Sequence, residues 1–153
     1  MINTKRGFSL LELLIVVAIL AIIGAAGAGS YRGFFKNVDV QSASRTIVSN
    51  LNLMVARAMA GEGGLKWGVH FVSGTADSYY ELFSTPTTYG DAGKEIVETD
   101  YLPKSIIFSD PSPGNTKDII FDRITGTTTA SSITITSEGL TQTINVTAIG
   151  TVY

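Results

Sequence analysis

A chain of 153 residues supports one domain of ordinary size, or a smaller domain joined to one long element. Without cysteine it forms neither a disulfide framework nor a thiolate metal site or nucleophile. Lysine and arginine number 11 against 13 aspartates and glutamates, yet beyond Gly61 eleven carboxylates face five basic groups, opposite in sign to the basic stripe of a nucleic-acid binder.

The first element is apolar. Met1 to Gly7 is short and polar and places Lys5 and Arg6 before a run that carries no charge from Leu13 to Gly29. A spanning helix needs roughly 20 mostly apolar residues, about 17 at the short end, so 8–29 is expected to cross a membrane. The positive-inside rule leaves the amino end in the cytoplasm and the remainder outside. Two rivals share these features. A secretory signal would also have a basic start and an apolar core, with Ala26-Gly27-Ala28 as a small-residue cleavage site, although such cores run to about 7–15 residues. A simple one-pass anchor is the other.

Neither rival explains Glu12. A carboxylate deep in a bilayer costs at least about 2.5–3.5 kcal/mol and therefore implies a partner. A cut between Gly7 and Phe8 would supply one, because Phe8 would carry a positive amine one helical turn from Glu12. A neighbouring subunit's amine could reach Glu12 equally well, and a buried opposite charge would then fix register.

The stretch Lys5-Arg6-Gly7-Phe8-Ser9-Leu10-Leu11-Glu12 resembles the prepilin motif of type IV pilins and type II secretion pseudopilins. The resemblance implies that 1–7 is a leader peptide carrying the positive charges Lys5 and Arg6. Gly7 and Phe8 then flank the prepilin peptidase cut, and Phe8 becomes the N-methylated first residue. It implies that Glu12 pairs with a neighbour's terminus during filament assembly. The implied partners are prepilin peptidase, other pilins or pseudopilins in a helical filament, an inner-membrane assembly platform, and lipid before assembly. No nucleic acid is expected, and no cofactor. The implied location is the bacterial inner membrane, crossed once with the C-terminal domain outside, then a periplasmic or extracellular filament.

From Ser30 the helical period continues with one apolar face. Ala43, Ile47, Leu51, Met54 and Ala58 recur at spacings of four, four, three and four, while Arg45, Asn52 and Arg57 occupy the other face. No proline precedes Pro86, so a continuous helix is expected from Phe8 to near Ala60, with 30–60 as its amphipathic half. Gly61, Gly63 and Gly64 end it. Gly24, Gly27 and Gly29 lie inside the helix. Ala21, Gly24, Ala25 and Ala28 offer small faces for close packing, and local melting on assembly is the competing reading.

Beyond Leu65 the period becomes that of strands. Runs rich in β-branched and aromatic residues cover 65–72, 78–84, 104–109, 118–122, 132–137 and 142–148, separated by Gly-, Pro-, Asn- and Asp-rich turns. Alternation is clearest in Ser132-Ile133-Thr134-Ile135-Thr136 and Thr143-Ile144-Asn145-Val146-Thr147. The predicted fold is α+β: a long helix packed on a small antiparallel β-domain, 61–153, of two sheets or one curved sheet. The order of its pieces, with Leu102-Pro103-Lys104-Ser105-Ile106 leading into Phe108 and a hairpin-like end at Ile149-Gly150, resembles the GspH/FimT branch of minor pilins and pseudopilins. DNA-binding members of that branch use basic residues near the C-terminus, whereas this chain ends Ile149-Gly150-Thr151-Val152-Tyr153.

Candidate chemistry in the β-domain is sparse. His70 is the single histidine, in the strand Lys66-Trp67-Gly68-Val69-His70-Phe71, and is read as structural, with Trp67 and Phe71 as core or sheet-face aromatics. Asp91, Glu95, Glu98 and Asp100 form an acidic patch, and Asp110, Asn115 and Asp118 flank a proline-rich loop. Their spacing fits no EF-hand, so a solvated face is expected and no metal is assigned. Asn145-Val146-Thr147 is a glycosylation sequon inside a predicted strand and is set aside. No catalytic residue, phosphate-cradling loop or nucleophile elbow is found, and the chain is expected to assemble rather than catalyse. A minor pilin or pseudopilin is expected, a major shaft subunit is the alternative, and a secreted or membrane-anchored β-domain acting as a binding module is the rival.

Overall fold

A computed structural model describes residues 9–75 and 77–153, with the side chains of 26–36 excepted. The chain divides into two units, Met1–Lys36 and Asn37–Tyr153. Helix α1 is assigned over Leu10–Met59 and contributes to both. A short 3-10 turn, Glu62–Gly64, and seven strands follow: β1 (Lys66–Ser73), β2 (Ser78–Thr85), β3 (Glu95–Tyr101), β4 (Ile107–Asp110), β5 (Thr116–Phe121), β6 (Ser131–Ser137) and β7 (Leu140–Val146). The protein is α+β, an N-terminal helix followed by antiparallel sheets, as expected of a pilin-like fold.

In the first unit the described part of α1 is apolar on every face except at Glu12. Among the described residues, however, no helix is long and apolar enough to cross a membrane: the apolar stretch with described side chains, 10–25, is a 16-residue helix. The expected span 8–29 extends past both of its ends.

In the second unit α1 buries one stripe. Val40, Ser44, Ile47, Leu51, Met54 and Ala58 are all buried, alternating steps of four and three that keep one line of side chains facing the sheets. The expected stripe began instead at Ala43, which is half-buried beside it. Arg57, expected on the solvent face, is also half-buried, with its guanidinium carbon 4.8 Å over the Trp67 ring. The helix ends where the glycines require. Gly61 takes the left-handed conformation (φ 65°, ψ 27°) and donates its N–H to the Ala58 carbonyl at 3.0 Å.

The strands form two antiparallel sheets, ordered β3-β2-β1-β5 and β4-β6-β7. β1 lies inside its sheet and is buried on both faces. Trp67, Val69 and Phe71 join the core against α1, together with Tyr80, Leu82, Ile119 and Phe121. Gly68 and His70 point the other way and are also buried. Gly68 leaves room for its neighbours: a β-carbon there would sit 2.6 Å from the Ile119 carbonyl oxygen and 2.9 Å from the Phe83 ring. The second sheet follows the alternation read in the sequence, with Ile133, Ile135, Ile144 and Val146 buried and Thr134 and Thr143 outward, their hydroxyls 3.1 Å apart. The sheets meet where Phe71 and Phe108 pack edge to face at 5.5 Å and Lys117 of β5 reaches Asp110 of β4 at 2.5 Å and the Ser132 carbonyl of β6 at 2.9 Å. At the C-terminus Val152 bridges to Val146, and Asn145 and Tyr153 exchange backbone hydrogen bonds at 2.8 and 3.0 Å.

One strand was not expected. Glu95–Tyr101, read as an acidic patch, is β3, the edge of the four-stranded sheet, and none of its residues is fully buried. An edge strand with no buried face has no need of alternation. The register also shifts between Leu82 and Phe83, which sets the exposed Ile96 and Val97 side by side.

Two tyrosines are held away from solvent. Tyr80 is buried under α1 and accepts a hydrogen bond from Asn50 at 3.0 Å; Asn50 also bonds Asp100 at 2.9 Å. Burial, then the Asp100 charge, pushes the Tyr80 hydroxyl well above its ordinary value. Tyr89, from the loop between β2 and β3, donates its hydroxyl to Glu81, and desolvation followed by that bond pushes it up likewise.

Stability should respond accordingly. Leu51→Ala removes a fully buried side chain and should cost about 2–5 kcal/mol, and Gly68→Ala should cost about 1–3 kcal/mol by overpacking, read from urea denaturation of the detergent-solubilised chain by Trp67 fluorescence. Raised folded values mean that the tyrosine contribution is complete below the unfolded value of 10.0 and is lost as pH rises above it. Absorbance titration should therefore show Tyr80 and Tyr89 ionising together with alkaline unfolding.

Candidate assembly surface

The strongest functional feature is the side-chain surface of α1 between Leu10 and Ile23. Its Leu, Ile and Val residues are exposed by 48–84%. Soluble helices place such residues on one stripe, so a helix apolar all round is built to be covered by lipid or protein. Straight-chain leucines and stiff β-branched isoleucines and valines supply the surface, and the uninterrupted run Leu10–Ile23 contains no proline to break it.

Glu12 is the one charged residue among the described residues of this stretch, and it is exposed. It occupies the first turn of α1, where unpaired backbone N–H groups favour a carboxylate. The helix ladder begins beside it, with the Leu13 N–H donating to the Ser9 carbonyl at 3.2 Å. Ile15, Val16 and Ile19 lie on the same face, so whatever covers this face also removes water from Glu12. Lys5, Arg6, Gly7 and Phe8 lie outside the described residues. Of the small-residue face, Ala21, Gly24 and Ala25 are exposed, and a β-carbon at Gly24 would meet nothing within 4 Å. The side chains at Gly27, Ala28 and Gly29 lie outside the described residues, while the helical assignment runs through them.

The β-domain candidates separate into local pairs. His70 is buried; its Nδ1 faces the Asp118 carboxylate, and its ring stacks on Tyr89 with centroids 3.6 Å apart. Lys94 lies 3.6 Å over Tyr89, and Phe83 packs against it edge-on at 5.0 Å. His70 and Asp118 lie far apart in sequence and meet because β1 pairs with β5 in the register His70↔Asp118. That partner could not be read from the chain, since no local motif carries it. Trp67 is buried and donates its indole N–H to the Glu62 carbonyl at 3.1 Å, and Phe71 is core.

The acidic patch is dispersed. Asp91 accepts from Thr87 at 2.6 Å and from the Gly93 N–H at 3.1 Å, bonds that hold its carboxyl below the usual range. Glu95, Glu98 and Asp100 are spread along β3. Around the proline-rich loop, Asp110 bonds Lys117 and Ser132, Asn115 bonds Ser112, and Asp118 turns to His70. Among the described residues no group of three or more His, Cys, Asp or Glu side chains is placed to hold a metal ion.

Residues 2–28 match the family described as the prokaryotic N-terminal methylation motif. No curated protein and no solved structure matches the chain. The match takes in Glu12 and the apolar stretch 10–25, whose described side chains are exposed. By these residues the chain carries the prokaryotic N-terminal methylation motif.

Proposed function

We propose that the chain is a structural subunit of a type IV pilus or a type II secretion pseudopilus. On this reading it is inserted once through 8–29, cut by prepilin peptidase between Gly7 and Phe8, methylated at Phe8 and polymerised through α1. The observation that carries the reading is the uniformly exposed apolar surface of Leu10–Ile23 within the segment that matches the methylation motif. In the bilayer lipid covers that surface, and in a filament neighbouring helices do. Moving it from one apolar environment to the other preserves a burial worth about 1.5–3 kcal/mol for each large side chain.

Glu12 biases that exchange. In lipid an unpaired carboxylate is costly, whereas in a helix bundle the amine of a neighbour's Phe8 pairs with it, so assembly is favoured at one register. The minor place in a filament draws support from the GspH/FimT-like order of strands and turns. The shaft is favoured by a different observation, the bare apolar end of the β-domain taken up below.

Mass spectrometry of the mature chain, co-expressed with a prepilin peptidase, should find an N-terminus at methylated Phe8. A chain that starts at Gly29 or keeps Met1 would overturn the reading in favour of a secreted or anchored β-domain. Glu12→Ala should leave insertion and cleavage largely intact while abolishing incorporation into filaments, and normal filaments from this variant would refute the role given to Glu12.

A further inference from the structure

Where α1 ends, the β-domain carries an apolar patch that its own fold leaves bare. Met59, Ile124 and Ile149 are exposed by 55%, 62% and 75%. The segments that carry them lie close together: a β-carbon on Gly126 would meet Met59 Cγ at 2.8 Å, one on Gly150 the Gly126 carbonyl oxygen at 2.3 Å, and one on Gly61 Ile124 Cδ1 at 3.0 Å. Ile124 holds φ at 72°, a conformation that a β-branched side chain adopts only under strain. The backbone fixes it there, with the Ile124 N–H donating to the Ala58 carbonyl at 2.8 Å and the Gly126 N–H to the Asp122 carbonyl at 2.9 Å. Asparagine or glycine would make this turn without strain and without an apolar side chain in water. Isoleucine costs the isolated subunit on both counts, so its gain lies outside the subunit.

A matching receptor lies further back along α1. A cavity of about 240 Å³ opens between α1 and the chain leaving β3, with Ala43, Tyr101, Leu102 and Pro103 as apolar lining and Asp39 and Asp100 as its carboxylates. Among the described residues neither carboxylate has an ion-pair partner, although Asp100 is hydrogen-bonded by Asn50 and by the Tyr80 hydroxyl. Arg123, beside Ile124, supplies the complementary charge, because among the described residues its guanidinium is held only by the Gly64 carbonyl at 3.4 Å. Ala43 and Met59 are roughly 24 Å apart along the helix at 1.5 Å per residue, so a subunit cannot fill its own cavity.

The geometry points to a head-to-tail contact between copies of this chain, in which Ile124 and Met59 of one copy enter the cavity beside Ala43 and Pro103 of the next and Arg123 meets Asp39 and Asp100. Such a contact uses two different patches, is heterologous, and therefore propagates instead of closing into a dimer. It rests on the filament reading and deepens it, since a repeating contact makes the chain a shaft subunit.

The absence of cysteine makes the test clean. The full-length chain carrying both Ile124→Cys and Pro103→Cys, co-expressed with a prepilin peptidase and treated with a short bis-maleimide, should yield a ladder of dimers, trimers and longer species. Either single variant should remain monomeric. A doubly substituted chain that is present in filaments yet gives no ladder overturns the contact and leaves the cavity to a different subunit, while the filament reading stands. Single variants that cross-link as strongly as the pair overturn it in favour of a symmetric contact. A chain neither cut at Phe8 nor found in filaments overturns the filament reading, and this inference with it. Ile124→Gly should keep or raise the thermal midpoint while lowering incorporation several-fold; unchanged incorporation would count against the contact. Arg123→Glu should suppress the ladder, with recovery in Arg123→Glu/Asp39→Arg.

Discussion

The stripe Val40, Ser44, Ile47, Leu51, Met54 and Ala58 against the inner faces of the two sheets is the contact on which the β-domain depends. Neither sheet could close a core alone. The four-stranded sheet presents Trp67, Val69, Phe71, Leu82, Ile119 and Phe121, the three-stranded sheet presents Ile133, Ile135, Ile144 and Val146, and α1 supplies the surface that both need. A domain of this size has little apolar area to spare, so a helix that doubles as core ties the fold of 37–153 to the element that carries the methylation motif. Any event that displaces α1 from the sheets would unfold the domain as well.

The two halves of α1 obey different rules because their surroundings differ. From Asn37 onward polar residues face water and one stripe faces the core. From Leu10 to Ile23 no face is polar except at Glu12, so the partner must surround the helix. The same residue types thus have opposite consequences, since leucine at 51 stabilises the subunit and leucine at 14 stabilises only an assembly or a membrane-bound state.

The elements read directly from sequence were those whose local chemistry and burial agree. Gly61, Gly63 and Gly64 ended the helix because all three take positive φ, and β6 and β7 alternated because one face of each is buried. β3 was hidden because an exposed edge carries no alternation, and β4 began later than expected because Ile106 is buried in a turn, its N–H bonded to the Pro103 carbonyl at 2.8 Å. The Arg57–Trp67 stack and the His70–Asp118 pair were equally hidden, since both depend on which elements become neighbours. In the apolar run the cost of a lone carboxylate singles out Glu12 from the sequence, and the structure places it exposed in the first turn of α1. The patch at Ile124 was not legible, because its positive φ belongs to a turn whose Thr125-Gly126 sequence would permit several conformations.

A β-domain that meets other copies of itself must not pair through its sheet edges. The fold guards them by different means. β3 carries Glu95, Glu98 and Asp100, so two copies of that edge repel. β4 is only four residues long, and the end of β7 is already paired through Asn145 and Tyr153. At these three edges sheet-to-sheet growth is disfavoured. The carboxylates that make the β-domain acidic thus also oppose edge pairing between like copies, because the charge repels wherever two such edges approach.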